Sequence, residues 1–329
     1  VRTDLATSFL NQADWSGATI NPLKGDASFR RYARVQLNGQ TAMLMDAPPD
    51  KEDIAPFVTI ARHLSALGFS SPKILAEDPA QGFLLLEDFG DGTFTRILEN
   101  GGDEEALYGL ATDLLIDLHK RSQAEVLPKA LPRYDAGKLL EEARLLTDWF
   151  MPVVLDRETP YVVAEEHDHL WMALFPFVTQ APRTLVLRDY HVDNLMVLEG
   201  RSGTAACGLL DFQDALAGHP AYDLVSLLED ARRDIDPTLV SVMKERYFAA
   251  FPDLDRDSFE AAYAILGAQR HAKVIGIFTR LMVRDKKPVY LEHIPRVWRL
   301  LEKACEYPAL SSIKGWLDRN IPSDMRRAP

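Results

Sequence analysis

Arg188-Asp189-Tyr190-His191-Val192-Asp193-Asn194 lies near the middle of the chain, and Leu210-Asp211-Phe212-Gln213-Asp214 follows shortly after. Short apolar runs at residues 184–187, 195–198 and 207–210 read as strands around these stretches. Between the last two lies Glu199-Gly200-Arg201-Ser202-Gly203, a glycine-bearing turn suited to a hairpin. A hairpin brings the start of its first strand to within about 5 Å of the end of its second. Asn194 precedes the first strand and Asp211 follows the second, so the two side chains are expected to meet. Asp189 sits on the loop just upstream. No other Asn of the chain has an Asp five positions before it.

These residue types suit one chemistry. Phosphoryl transfer from ATP needs a carboxylate beside the attacking hydroxyl and oxygen ligands for the magnesium that bridges the phosphates. Asp189 can supply the first, as proton acceptor or as the group that orients the hydroxyl. Asn194 and Asp211 can supply the second, so ATP and Mg2+ are the expected cofactors. The plainer reading has Asp189 capping a loop, Asn194 satisfying a turn and Asp211 on the surface. Asp211 ends an apolar strand, however, where an unpaired charge is costly. Asp214 reads equally as a helper of the metal site or as a helix-start carboxylate, and Asp193 as a loop residue.

Working outward, β-type segments dominate the early chain. Residues 19–23, 29–37, 41–45 and 82–86 read as strands, with Asn38-Gly39 a strong hairpin signal because both residues tolerate positive φ. Residues 52–67 read as a helix closed by Gly68. Beyond residue 88 the period changes: Leu107, Leu110, Ala111, Leu114, Leu115 and Leu118 form a helical stripe. Residues 139–150, 169–177, 222–231, 239–251, 259–283 and 295–307 also read as helices. The expected class is α+β with two lobes: a small antiparallel β-rich N-lobe (1–88) and a larger, mainly helical C-lobe (89–329). A cleft is expected near the crossover at residues 87–92.

Composition narrows the partners. Against 49 acidic residues stand 37 Lys and Arg, a formal charge of −12. Nucleic acid, which demands clustered cations, is therefore not the expected partner. The two cysteines, Cys207 and Cys305, are far apart and suggest neither a disulfide framework nor a metal site. The first residues lack a signal-peptide pattern and no apolar run approaches about 20 residues. A cytoplasmic location, a small-molecule substrate and no membrane are the expectations; oligomeric state is left open.

The run Asp189-Tyr190-His191-Val192-Asp193-Asn194 resembles the Asp-x-His-x-x-Asn catalytic loop of the aminoglycoside phosphotransferase and choline kinase superfamily, which has the protein-kinase-like fold. Protein kinases usually carry Lys where His191 stands, two residues after the catalytic Asp. They also carry a long activation segment, whereas Ala221-Tyr222-Asp223-Leu224 opens a helix soon after Asp211. A small-molecule kinase is favoured. His191 becomes a candidate substrate contact, and Asp223 resembles the family's structural Asp, read here as an N-cap.

Gly25-Asp26-Ala27-Ser28-Phe29-Arg30-Arg31-Tyr32 lies where this fold lays a flap over the phosphates. Backbone N–H groups at Gly25 and Ser28 can approach phosphate oxygens. The family's strand lysine is missing from Thr41-Ala42-Met43-Leu44-Met45-Asp46, so Arg30 or Arg31 is the candidate replacement. These stretches, with Leu84-Leu85-Leu86-Glu87-Asp88 and Asp211-Phe212-Gln213-Asp214-Ala215, look like one branch, the anomeric N-acetylmuramate/N-acetylglucosamine 1-kinases of bacterial cell-wall recycling. The resemblance implies a missing lysine as a branch trait and an α-1-phosphate product. It also implies adenine contacts along the backbone near Glu87 and Phe89. Trp149, Phe150, Trp171, Phe175 and Phe177 are core or sugar-stacking candidates, with core favoured, while His119 and His219 read as structural. Glu165-Glu166-His167-Asp168 reads as a solvated loop. The competing readings are a kinase of another small alcohol or of aminoglycosides, and a noncatalytic nucleotide-binding protein.

Overall fold

The computed structural model describes residues 1–23 and 29–329. Strands among them are β1 (Thr19–Pro22), β2 (Arg31–Leu37), β3 (Gln40–Asp46), β4 (Ile74–Asp78), β5 (Phe83–Glu87), β6 (Thr184–Val186), β7 (Leu195–Val197), β8 (Cys207–Leu209) and β9 (Leu216–Gly218). The chain divides into two compact units. One comprises Val1–Leu114 with Val192–Ala215, the other Leu115–His191 with Leu216–Pro329. The chain passes between them within the run 188–194, after His191.

The first unit is built on an antiparallel sheet in the order β1-β2-β3-β5-β4. Asn38 and Gly39 close the β2–β3 hairpin with φ of 50° and 80°, the positive values that a two-residue turn of this twist demands. One sheet face alternates Ala33 and Val35, Ala42 and Leu44, Phe83 and Leu85, all buried. Helix Thr3–Gln12 covers that face with Ala6, Phe9 and Leu10, and the Phe9 and Phe83 rings stack at 5.6 Å. Neither this helix nor β4 is anticipated from the sequence. In β4 the residues alternate between half-buried and exposed, but Leu75 falls at an exposed position, so the run Ile74-Leu75-Ala76-Glu77-Asp78 carries no apolar/polar alternation to read.

The hairpin β7–β8 belongs to the same unit. Leu195 pairs with Leu209 and Val197 with Cys207, and the turn is longer than a simple reversal because residues Gly203–Ala206 coil into a 3-10 turn. Leu209 N–H donates to the Ser70 carbonyl at 2.8 Å, and Val197 N–H to that of Gly92 at 2.9 Å. The segment before β4 and the one after β5 thus hold the hairpin from both sides.

The second unit is mainly helical around the two-stranded β6–β9 pair. Its longest helix, Arg256–Val283, begins three residues before the expected start because Asp255 caps it, accepting from Ser258 N–H at 3.2 Å. This helix is buried on nearly every side. At Gly276 a Cβ would lie 2.2 Å from the Leu145 carbonyl oxygen, so only glycine permits the close approach. The run at 165–168 is no loop: it lies within helix Tyr161–Leu174, where buried His167 accepts from Trp171 Nε1 at 2.9 Å. The local charge density hid a helix whose inner face carries His167 and Trp171. No helix among the described residues is long and apolar enough to cross a membrane. The α+β class, with an antiparallel sheet in the N-terminal region and a mostly helical remainder, matches the expectation.

Candidate active site

The β7–β8 hairpin does what its ends require. Leu210 N–H donates to the Asn194 carbonyl at 2.9 Å, which sets Asn194 opposite the residue before Asp211. Asp211 takes a left-handed φ of 55°, a conformation Asp tolerates better than most residues, and its side chain is 45% exposed. Gln213 Nε2 donates to Asp211 Oδ1 at 2.8 Å. Asp193 accepts from the Thr95 hydroxyl, which ties the loop to helix Phe94–Glu99. Asp214 lies in an irregular stretch, so the helix-start reading of it fails; the next helix, Ala221–Leu228, begins later. No cluster of three or more His, Cys, Asp or Glu side chains suited to a metal exists among the described residues. One carboxylate and one amide oxygen fit Mg2+ well, because that ion usually takes one or two protein oxygens and completes its shell with phosphates and water.

Of the two flap arginines, Arg30 turns toward this carboxylate. Its Nη1 lies 3.7 Å from Asp211 Oδ1, its Nε lies 3.9 Å from Glu52, and its side chain is only 11% exposed. Arg31 is exposed and donates to the Arg30 carbonyl at 3.1 Å. Gly25 and Ser28 lie outside the described residues. Glu87, at the end of β5, pairs its carboxylate with Arg201 and its N–H with the Lys73 carbonyl at 2.8 Å. The Arg201 guanidinium sits 5.3 Å from the Phe89 ring centroid.

In the second unit Asp189 follows a residue in a strained conformation. Arg188 has φ 69°, which costs a long side chain about 1–3 kcal/mol and persists only where neighbours impose it. Here they do. The N–H groups of Leu187 and Arg188 donate to the two oxygens of Asp223 at 2.7 and 2.9 Å, and Ser226 Oγ donates to the Arg188 carbonyl at 3.2 Å. Asp223 is therefore not an N-cap: it is the third residue of Ala221–Leu228, and its partners are the backbone of the loop before Asp189. Burial pushes its carboxyl up to about 7, against the pull of those two N–H donors.

Burial also opposes ionisation of Asp189, but Lys273, His191, Arg188 and Arg270 outweigh it and hold the carboxyl below the ordinary range. The Asp189 carboxylate is thus charged at neutral pH. His191 is buried, which lowers its pKa, and its Nε2 lies 3.2 Å from Arg232 Nη1. Arg188 in turn pairs with Glu142, which also takes Lys273 at 3.3 Å. Sequence reading missed Glu142 and Lys273. The available signal was the polar run Gln269-Arg270-His271-Ala272-Lys273 between apolar stretches of one long helix.

The aromatic candidates divide. Phe150, Trp171 and Phe175 are core, Trp149 is half-buried, and Phe177 is exposed. His119 and His219 are structural, pushed by burial down to about 3 and about 4; His119 Nδ1 lies 2.8 Å from the Tyr247 hydroxyl.

Residues 19–259 match the model of the phosphotransferase enzyme family. The chain is 36% identical to the N-acetylmuramate/N-acetylglucosamine kinase of Caulobacter vibrioides, over 97% of each chain. It is 39% identical to the protein of that name from Pseudomonas aeruginosa, over 87% of this chain and 84% of the relative. In fold it is similar to the GDP complex of aminoglycoside 2'-phosphotransferase-IIIa, with a TM-score of 0.63 at 15% identity, covering 92% of this chain and 98% of that one.

Proposed function

The chain belongs to the phosphotransferase enzyme family, and from that premise we propose that it transfers the γ-phosphoryl group of ATP to the anomeric hydroxyl of N-acetylmuramate or N-acetylglucosamine, giving the α-1-phosphate. The observation that carries this reading is a catalytic loop with all its parts, Asp189, Asn194 and Asp211, in a chain similar over most of its length to kinases named for those two sugars. In this reading residues 1–88 form the nucleotide-phosphate lobe and residues 89–329 carry the catalytic loop, metal site and sugar pocket. A cytoplasmic setting, where ATP is supplied, goes with it.

Asp189, already ionised, accepts the proton of the acceptor hydroxyl as the oxygen attacks phosphorus in line. Asn194 and Asp211 hold magnesium, which when bound offsets charge on the phosphate oxygens. Arg30 stands in for the missing strand lysine; its ion pair with Asp211 favours it over Arg31. Its guanidinium presents a planar fork of donors to phosphate oxygens. Gly25 and Ser28 supply flap N–H groups, the backbone near Glu87 and Phe89 receives the base, and His191 borders the sugar.

Incubation of the protein with magnesium, ATP and either sugar tests this. An acid-labile sugar 1-phosphate is expected, whereas phosphate on another hydroxyl, or turnover only on choline or an aminoglycoside, refutes the acceptor assignment. Asp189→Ala should lower kcat about 10²–10⁴-fold while ATP still binds. Asp211→Ala should abolish the magnesium-dependent part of nucleotide binding measured by calorimetry.

A further inference from the structure

Arg280 lies near the end of helix Arg256–Val283 and has no part in the chemistry above. It is half-buried, and its Nε is buried with no hydrogen-bond partner among the described residues. Burial lowers its pKa and Arg284, one turn on, lowers it further, while Asp285 is the acid that acts against them. That carboxylate is already taken: Arg284 Nε and Nη2 donate to its two oxygens at 2.8 and 2.9 Å. A guanidinium drawn partly out of water without an anion of its own is costly unless something supplies one. An apolar side chain of like length would pack there without that cost.

Helix geometry says where such an anion would come from. After burial, Lys273 is the leading influence on the Asp189 carboxyl. Lys273 and Arg280 are seven residues apart in one helix, just under two turns, so Arg280 stands about 10 Å along the axis from Lys273 on nearly the same face. Gly276, between them, holds this stretch against the Leu145 carbonyl oxygen, where a Cβ would come within 2.2 Å. A packed helix thus sets how far Arg280 stands from the residues that act on Asp189.

The two sugars proposed as acceptors differ in one group. N-acetylmuramate carries a lactyl ether on O3, and so a carboxylate, where N-acetylglucosamine has a hydroxyl. With the anomeric hydroxyl at Asp189, the lactyl arm projects away from the reacting oxygen. The ring, the arm and one charge-assisted hydrogen bond together span a length of the same order as two helical turns.

We propose that Arg280 is a specificity-determining residue for N-acetylmuramate: its guanidinium receives the lactyl carboxylate, a contact that N-acetylglucosamine cannot make. The inference rests on the acceptor reading above. A guanidinium offers carboxylate a planar fork of donors, which an ammonium lacks. An arginine that only keeps its head in water above an apolar stem serves both sugars alike, whereas a carboxylate receptor serves one.

The test compares wild type, Arg280→Met and Arg280→Lys on both sugars with magnesium and ATP. Arg280→Met is expected to lose about 30-fold in kcat/KM on N-acetylmuramate, mostly through KM, and to stay within about twofold on N-acetylglucosamine. Arg280→Lys, which keeps the charge without the fork, should fall between. The neutral carboxamide of N-acetylmuramate, with the arm but not the charge, should serve wild type and Arg280→Met alike. Should Arg280→Met not fold, Arg280→Gln is read the same way. Equal losses on both sugars overturn the proposal, as does a variant that prefers the acid to its carboxamide by the wild-type ratio, or a wild type that phosphorylates N-acetylglucosamine only. If wild type phosphorylates neither sugar, the acceptor reading falls and this assignment with it. If it phosphorylates both and Arg280→Met leaves their ratio unchanged, the acceptor reading stands and the assignment alone falls.

Discussion

Gly208 in β8 offers a sharp probe of whether the hairpin positions Asn194 and Asp211, the pair proposed to hold magnesium. A Cβ there would sit 3.0 Å from Met196 Cβ and 3.0 Å from both Cδ2 and Cε2 of Phe89. Carbon atoms prefer about 3.5–4.0 Å, so Gly208→Ala forces a retreat of about 0.5 Å or more. The Met196 Cβ is fixed to the paired strand β7 and cannot give, since Met196 stands opposite Gly208 in the register. Phe89 is half-buried and can turn, which puts the expected cost near the lower end of the overpacking range, about 1–2 kcal/mol. Any part of the strain taken up by β8 moves Asp211 relative to Asn194. A loss of about 1.4 kcal/mol in magnesium-nucleotide binding is about tenfold in Kd. Urea unfolding followed by circular dichroism reads the first number, and calorimetric titration of ATP with and without magnesium reads the second. Weaker binding is expected only in the presence of magnesium. If stability falls while magnesium-dependent affinity stays within twofold of wild type, the hairpin is not what sets the Asn194–Asp211 pair.

Two further outcomes are expected. Asp223→Ala leaves the buried N–H groups of Leu187 and Arg188 without their acceptor, which should cost about 3 kcal/mol in urea unfolding and about 100-fold in kcat as Asp189 loses its support, with Asp223→Asn between. Asp168, bonded to His167 and to Arg144 at 2.6 Å, has its carboxyl pulled down from 3.8 to about 2 although burial opposes this. A depressed folded pKa means that the stabilisation is present above 3.8 and lost as pH falls through 2. After screening at this exposed site, Asp168→Asn should destabilise by about 1 kcal/mol at pH 6, and thermal melts of the two proteins should converge near pH 2.

Much of the site was legible in the order of residues. The Asp189-to-Asn194 spacing, the glycine-bearing turn and the two apolar strands between Asn194 and Asp211 are all local signals, and a hairpin needs nothing else to bring its ends together. Asn38-Gly39 and the helical leucine stripe are of the same kind. Arg30 and Arg31 could not be separated in this way, because strand alternation says that they differ but not which one turns toward Asp211.

What the sequence alone determined, then, is most of the strands and helices and the hairpin that sets Asn194 beside Asp211, since turn propensity and hydrophobic period act over a few residues. Tertiary structure decided which distant groups hold those side chains in place. Asp223 meets the Leu187 and Arg188 backbone across more than thirty residues, and Lys273 meets Glu142 across more than a hundred. No local period encodes such pairs. They exist because a buried charge or an unpaired N–H group must find a partner among whatever the packed fold brings near, and only the packing of helix Arg256–Val283 against helix Ala136–Ala143 and the catalytic loop brings these together.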